Sequence, residues 1–155
     1  MKDKLLYTTK ELFDSYLRGK YYTIPEYQRG YKWETKDIDC LLKDINNFSK
    51  NDDLDLFYCL QNITLVENKD SFNVVDGQQR LTTLAIILSY LGEYSLINEK
   101  IQYNIRKETE EFLKEYIYKS SNIKTIENWD QLLSISSLEN KDYDYQDVYY
   151  LFNAY

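Results

Sequence analysis

The sequence contains no histidine among its 155 residues. This absence excludes a Ser-His-Asp triad, a Cys-His pair, a histidine-ligated zinc site and an HNH-type nuclease centre from this stretch of chain. Cysteine is scarce as well, and Cys40 and Cys59 lack the CxxC spacing of zinc and redox motifs. Their apolar neighbours predict two buried free thiols, as in a protein of a reducing cytoplasm.

Long apolar runs are also missing. No stretch reaches the length of a transmembrane helix, and the N-terminal "MKDKLLYTTKELF" lacks the apolar core of a signal peptide. We therefore expect a cytoplasmic protein with no membrane partner. The net charge of −7 argues against a surface that binds nucleic acid as a whole, because such binding needs many cations that displace counterions. A local basic cleft remains compatible with that total.

Apolar periodicity predicts helices and strands in the first half of the chain. Thr8 and Glu11 have the spacing of a capping box for a first helix that Gly19 ends. The aromatic and β-branched "YYTI" predicts a short strand, which Pro25 confines to a sheet edge or to its own end. A second helix is expected from Thr35, with a single apolar stripe formed by Ile38, Leu41, Leu42, Ile45 and Phe48.

The middle of the chain predicts two strands within residues 56–76, around a turn at residues 68–71, and then a helix over residues 77–91 that is buried on most sides. Further helices are expected within residues 104–120 and 125–138. The last residues stay aromatic and half apolar up to Tyr155, whereas chain termini usually become polar. We therefore expect more protein to follow.

The segment "NVVDGQQRLTTL", residues 73–84, places five chemically distinctive residues where a strand becomes a helix. Gly77 suits a turn with positive φ, and the amides of Gln78, Gln79 and Arg80 belong to a first helical turn whose N–H groups lack intrahelical partners. Such a turn with an added guanidinium is typical of an anion site. Asp76 would then orient Arg80, hold a divalent cation, or position a water or a ribose hydroxyl. Alternatively, Asp76 is a helix N-cap and Arg80 its surface partner.

A second segment, "IPEYQRGYKW", residues 24–33, carries aromatic and cationic side chains after the only proline of the chain. Tyr27, Arg29 and Lys32 could stack a base and bind a phosphate. In the alternative interpretation Tyr27 and Trp33 fill the core while the cations reach water. Because a second arginine-bearing turn exists, we favour a cleft shared by both segments.

Both segments, together with the helix containing "LLKDI" and the stretch "FYCLQNITLV", resemble the N-terminal domain of GmrSD-type restriction enzymes, a ParB/sulfiredoxin-like family. The resemblance implies an α+β fold with a small mixed sheet packed with helices, followed by a partial helical region. We accordingly divide the chain into a nucleotide-binding domain, residues 1–95, and the start of a helical region, residues 96–155. Many members have a glycine where this chain has Gln61 and Asn62, which leaves the nucleotide preference open.

The resemblance also implies activity: binding and hydrolysis of a nucleoside triphosphate with Mg²⁺, coupled to an HNH-type nuclease domain in cis or in trans. Two groups of residues match the family's nucleotide motifs, namely Tyr27, Gln28, Arg29 and Trp33 in the loop, and Asp76, Gly77, Gln78, Gln79 and Arg80 at the turn. Of these, Asp76, Gln78 and Arg80 are the expected catalytic residues, and Asp76 is the expected metal ligand. The alternatives are a regulatory module that binds nucleotide or DNA without catalysis, and a structural domain.

DNA contact is expected to be weak and dependent on salt, given the acidic total. The basic residues that would provide it lie around the loop: Arg18, Lys20, Arg29 and Lys32.

Overall fold

A mixed β-sheet organises the described part of the chain, residues 6–14, 16–51, 56–119, 123–135 and 143–155 of a computed structural model. Strand β1 (Tyr21–Ile24) lies between β3 (Ser71–Asp76) and β4 (Ile101–Tyr103) and is parallel to both. Strand β2 (Thr64–Glu67) pairs antiparallel with β3 at the edge of the sheet. Pro25 directly follows β1, so its missing N–H costs no hydrogen bond of the ladder.

Helices surround this sheet and confirm the predicted α+β class. Their bounds in chain order are α1 (Thr9–Phe13), α2 (Thr35–Ser49), α3 (Gln78–Tyr90), α4 (Tyr94–Ile97), α5 (Lys107–Phe112), α6 (Trp129–Ile135) and α7 (Tyr143–Ala154). Helix α5 continues as a π-helical turn over Leu113–Ile117, and a short 3₁₀ turn spans Ile123–Thr125. Within the described ranges, no helix combines the length and the apolar character needed to cross a membrane.

Helix α3 is the centre of the core, as its apolar sequence predicts. Leu81 and Ala85 are fully buried, and Thr82, Thr83 and Ser89 on other sides of the helix are buried as well. Polar residues are tolerated there because they have partners, such as Ser89 Oγ, which donates to the carbonyl oxygen of Ile117 at 2.7 Å. The predicted burial on most sides is confirmed.

Helix α2 has the predicted start, but its apolar stripe is less buried than the periodicity indicates. Ile38 is buried, whereas Leu42 is 43% exposed and the other stripe residues are half-buried. The prediction of buried thiols is wrong, because Cys40 and Cys59 are both exposed. Cys40 lies on the exposed side of α2, and Cys59 lies in residues 56–63, which form no regular structure.

Two other boundaries differ from the sequence prediction. The capping box of Thr8 and Glu11 is present, but α1 ends at Phe13 rather than near Gly19. The sheet also includes β4, which lies in the stretch for which only helices were expected, while the division into domains at residue 95 stays a prediction. This short strand brings the residues after it, up to Arg106, to the same sheet edge as the residues that follow β1 and β3.

Candidate anion-binding site

The carboxyl ends of three parallel strands lie at one edge of the sheet, which we call the carboxyl edge. Strand β1 leads into residues 25–33, the motif loop, and β3 leads into the turn at Asp76 and Gly77. Strand β4 leads to Arg106, which immediately precedes α5. Ligands of parallel sheets typically bind outside such carboxyl ends. The topology thus places both sequence motifs, and a third segment that the sequence analysis missed, at a position suited to a ligand.

Gln79 joins the motif loop to the start of α3. Its Nε2 donates to the carbonyl oxygen of Gly30 at 2.9 Å, and its Oε1 accepts from the backbone N–H of Lys32 at 2.8 Å. Both ends of this side-chain amide are therefore used within the protein. The predicted proximity of the two motifs is observed, and Gln79 produces it.

Gln28 and Tyr31 make two more connections of the same kind. Gln28 Nε2 donates to the carbonyl oxygen of Val75 at 2.7 Å, next to the end of β3. Tyr31 is fully buried, and its hydroxyl shares a 2.8 Å hydrogen bond with Thr83 Oγ1 in α3. Burial raises the pKa of the Tyr31 hydroxyl. Tyr31, rather than Tyr27, thus fills the core from the loop, and the half-buried Trp33 packs against that core.

The turn before α3 requires glycine for two reasons. Gly77 has φ +88°, in the left-handed region, and it occupies the N-cap position without any side-chain cap of the helix. A Cβ at this position would lie 3.0 Å from Ile63 Cγ1 and 3.2 Å from the carbonyl oxygen of Asn62. Because Gly77 and not Asp76 is the N-cap, the interpretation of Asp76 as a simple helix cap is wrong.

Arg80 links this turn to the segment before β2. Its Nη2 donates to the carbonyl oxygen of Asn62 at 2.7 Å, and its Nη1 donates to Gln61 Oε1 at 3.1 Å. The contact from Nη2 to Asp76 Oδ2 is longer, at 3.5 Å. Arg80 Nε is buried and has no hydrogen-bond partner within the described part of the chain. The guanidinium is thus held in one orientation by neutral oxygens rather than by its carboxylate neighbour.

Gln61 adopts a backbone conformation that favours glycine. Its φ of +70° lies in the left-handed region. The side chain at this position supplies the oxygen that Arg80 Nη1 contacts, so the unusual conformation accompanies an added polar contact.

Gln78 lies inside the protein, with 4% of its surface exposed. Its Nε2 donates to Tyr103 Oη at 3.4 Å, and Tyr103 Oη also shares a 2.9 Å hydrogen bond with Thr82 Oγ1. Burial raises the pKa of the Tyr103 hydroxyl, while the hydrogen bonds with Thr82 and Gln78 oppose that rise. Tyr103 therefore stays protonated at neutral pH. The side chain of Gln78 is engaged beneath the turn, and its backbone N–H remains part of the first turn of α3.

Other predicted site residues are accessible to a ligand. Tyr27 is 69% exposed, Arg29 is exposed, and the side chain of Asp76 is 71% exposed. Within the described ranges, no group of three or more His, Cys, Asp or Glu residues could hold a metal ion. Asp76 alone is compatible with Mg²⁺ that is shared with phosphate oxygens, because Mg²⁺ bound to nucleotides uses one or two protein carboxylates.

A buried carboxylate that the sequence analysis missed lies behind the motif loop. Asp147 of α7 is 1% exposed, and its Oδ2 lies 2.6 Å from Arg106 Nη1 while its Oδ1 lies 3.0 Å from Lys32 Nζ. A Cβ on Gly30 would overlap this carboxylate. A lone aspartate in an aromatic helix gives no sequence signal for such a role. The short alternation of Ile101 and Tyr103 before Arg106 was the available clue to β4.

The predicted DNA-binding residues do not form one patch. Arg18 and Lys20 precede β1, whereas Arg29 and Lys32 follow it, so the two pairs lie at opposite ends of the strand. Lys20 Nζ is 2.6 Å from Glu67 Oε1, and this hydrogen bond lowers the pKa of the Glu67 carboxyl. Lys32 is paired with Asp147 and also lies over the ring of Tyr150. DNA binding by these residues stays a prediction.

A cavity of about 650 Å³ lies beside this site and shares Gln61 and Asn62 with it. Its other walls are mostly apolar or aromatic and come from residues 6–12, Tyr16, residues 57–65 and Leu84, and Glu11 is the one charged residue among those that line it. Such a lining does not attract a polyphosphate. The charged groups suited to an anion are instead at the carboxyl edge.

Comparison with known proteins agrees with the motifs. The family described as the GmrSD restriction endonuclease N-terminal domain matches residues 9–155, so the match includes both motifs, β4 and α7. Comparisons with curated proteins and with solved structures gave no match.

Proposed function

Because the chain belongs to the GmrSD restriction endonuclease N-terminal domain family, whose members are components of restriction systems, we propose that its carboxyl edge binds and hydrolyses a nucleoside triphosphate to control a nuclease domain. One observation carries the proposal: Gln79 and Gln28 hold the motif loop against the turn that precedes α3. This arrangement brings the exposed Arg29, the half-buried Arg80 and the first-turn N–H groups of α3 to one edge. Such a combination is suited to phosphate groups.

In this proposal the phosphates bind to the first-turn N–H groups of α3, to Arg80 and to Arg29. Arg80 Nη2 exchanges its long contact with Asp76 for a phosphate oxygen, while the shorter contact with Asn62 keeps the guanidinium in place. Arg29 is exposed in the motif loop and neutralises charge from the other side. Fixed donors of this kind stabilise the charge of a phosphoryl transition state.

Asp76 is the proposed ligand of Mg²⁺ that accompanies the nucleotide. Bound Mg²⁺ would neutralise phosphate charge, and the exposed Asp76 carboxylate would take one of its coordination positions or orient the attacking water. Gln78 was expected to be catalytic as well. Because the side chains of Gln78 and Gln79 have partners within the protein, we assign the task to Asp76 and keep the glutamines as parts of the scaffold.

The test is nucleotide binding and phosphate release by the wild type and by Arg80→Ala and Asp76→Ala, with Arg18→Ala as a control. Arg18 has the same charge and lies at the opposite end of β1. We expect Arg80→Ala to reduce phosphate release on the order of 10²-fold or more, as for other lost transition-state donors, and Arg18→Ala to leave it unchanged. Equal release by the wild type and by both site variants would refute hydrolysis at this edge.

A regulatory module that binds without catalysis is the second candidate. The engagement of Gln78 and Gln79 in internal hydrogen bonds favours it, since neither glutamine side chain is then available to orient water beside Asp76. Under this alternative a triphosphate raises the melting temperature, yet no phosphate is released above the level of Asp76→Ala. A ligand at a hundred times its Kd stabilises a protein by about 2.7 kcal/mol, which thermal unfolding readily detects.

The nuclease partner follows from the family. We propose that an HNH-type nuclease domain, in cis or in trans, receives the nucleotide signal and cuts DNA, since this chain has no histidine with which to form such a centre. The prediction is that this chain alone does not cleave DNA.

A further inference from the structure

The most unusual group outside the proposed phosphate contacts is Asp147. It lies in α7, a helix whose neighbouring Val148 and Leu151 are part of the core, and it is almost fully buried. A buried carboxylate is costly unless cations and hydrogen-bond donors surround it. Here Arg106 Nη1 donates to its Oδ2, and Lys32 Nζ forms an ion pair with its Oδ1, which has no hydrogen-bond partner within the described residues. Both cations belong to the carboxyl edge.

Three contacts connect this carboxylate to the motif loop. It pairs directly with Lys32 at 3.0 Å, and it packs so closely against Gly30 that any side chain there would overlap it. Arg106, held by Asp147 at 2.6 Å, also extends Nη2 to the carbonyl oxygen of Gln28 at 3.4 Å. The loop is therefore held near residues 28, 30 and 32.

Arg29 lies between Gln28 and Gly30 in the sequence, and its side chain is exposed. Its backbone position is set by the same contacts that hold its neighbours Gln28 and Gly30. These contacts come from Asp147 of α7 and from Arg106, which immediately precedes α5. The loop is therefore held by Gln79 of the second motif and, in addition, by Asp147 and Arg106, which belong to neither motif.

We propose that Asp147 and Arg106 are positioning residues, which fix the motif loop in the conformation that presents Arg29 to the polyphosphate. Neither residue touches the ligand. Asp147 acts through Lys32, Gly30 and Arg106, and Arg106 acts through Gln28. The ligand part of this inference rests on the proposed function, whereas the positioning of the loop does not.

The contacts of Asp147 couple α7 to ligand binding at the carboxyl edge. Binding that orders the motif loop strengthens the contacts of Asp147, and by linkage an intact Asp147 strengthens binding by the same factor. Bound polyphosphate therefore slows hydrogen exchange in α7, as well as in the loop. This coupling separates a positioning role from a merely structural one.

The first experiment needs no ligand and compares amide hydrogen exchange of the full chain with that of Asp147→Asn. The control is Asp39→Asn, which removes the same charge from an exposed residue whose nearest cation lies 4.0 Å away. We expect exchange within residues 26–33 at least 10-fold faster in Asp147→Asn, beyond any increase in residues 81–86 of α3 that a global loss of stability produces, and no difference in the control. Unchanged exchange in the loop overturns the proposal.

The second experiment measures the affinity for inorganic tripolyphosphate with Mg²⁺. We expect an approximately 10-fold higher Kd for Asp147→Asn than for the wild type, and tripolyphosphate-induced protection of α7 in the wild type alone. An unaltered Kd, or protection of α7 that persists in the variant, overturns the ligand part. Failure of the wild type itself to bind tripolyphosphate refutes the proposed function, and the ligand-free exchange then still decides the positioning of the loop.

Arg106 provides the second variant if Asp147→Asn does not fold. Arg106→Gln removes the link to Gln28, whereas Arg106→Lys keeps the cation beside Asp147. We expect faster loop exchange in Arg106→Gln and partial rescue in Arg106→Lys. Identical exchange of the wild type and both Arg106 variants contradicts the role of Arg106 and with it the proposal.

Discussion

Two carboxylate–arginine pairs at the carboxyl edge differ in almost every physical property. Asp147 and Arg106 lie 2.6 Å apart, and Asp147 is buried. Asp76 and Arg80 lie 3.5 Å apart, and most of the Asp76 side chain is exposed. The first carboxylate also touches Lys32 and Gly30, whereas Arg80 has closer partners than Asp76 in Gln61 and Asn62.

This comparison distinguishes a carboxylate that supports the structure of the site from one that can bind a ligand. A buried pair has lost its hydration, so the removal of one partner leaves a charge that nothing compensates. An exposed pair is weakened by solvent and salt, so its members can exchange partners at little cost. We infer that Asp147 maintains the site and that Asp76 is free to bind a metal ion, a water or a ligand.

The largest expected effect is that of Asp147→Ala. The substitution leaves Arg106 and Lys32 without their buried counter-ion. We expect a loss of about 3 kcal/mol in the free energy of unfolding, the lower end of the range for a broken buried pair, because both cations keep some contact with water. Chemical denaturation followed by circular dichroism measures it, with Asp39→Ala as the exposed control. A loss below about 1 kcal/mol would mean that this carboxylate is hydrated in solution, and the contrast between the two pairs would disappear.

Gly30→Ala tests the packing part of the same contact. Its Cβ would overlap the Asp147 carboxylate, so we expect a loss of about 1–3 kcal/mol, as for other overpacked sites. The sharper measurement is a double-mutant cycle. In the Asp147→Ala background the cost of Gly30→Ala should largely vanish, because the overlapping atoms are gone. Additive losses would show that Gly30 is required for another reason.

Gln61→Gly tests the contact between Arg80 and the segment that precedes β2. Glycine relieves the positive φ of Gln61 but removes the oxygen that Arg80 Nη1 contacts, and these effects oppose each other. We expect the free energy of unfolding to change by no more than about 1 kcal/mol. Triphosphate affinity, measured by calorimetry, should fall because Arg80 is less well oriented. Unaltered affinity would show that Asn62 alone suffices to orient Arg80.

The smallest effect on stability is expected for Asp76→Asn. The pair with Arg80 is long and exposed, so we expect a change within about 0.5 kcal/mol at moderate salt. Mg²⁺-dependent triphosphate binding should nevertheless weaken. The comparison with Asp147→Ala would fail if Asp76→Asn destabilised the fold strongly, or if it left the Mg²⁺ dependence of binding unchanged.

The fold was predictable where a single segment carries its own signal. The capping box of α1, the start of α2 at Thr35 and the buried helix α3 were identified from local spacing, because helix caps and apolar faces depend on residues a few positions apart. The α+β class is confirmed. Strand β4 was missed because three residues give too short an alternation, and its pairing with β1 depends on residues far away in sequence.

The location of the site could be predicted from the sequence, but the roles of its individual residues could be predicted less well. Both motifs lie at one edge, as inferred from their two arginine-bearing turns. The glutamines that were expected to contact a ligand instead make internal hydrogen bonds, since an amide can donate and accept and so fits equally well between two backbone segments. Residue types alone do not distinguish these uses.

The sequence by itself determined that Gly77 forms a turn before a buried helix and that Pro25 ends a strand, because these outcomes depend on backbone geometry within a few residues. It also determined the family, through motifs of contiguous residues. Only the tertiary structure decided that Asp147 supports the motif loop. The reason is physical: a carboxylate is stabilised by the cations that surround it after folding, and those cations come from the segments that follow two different strands.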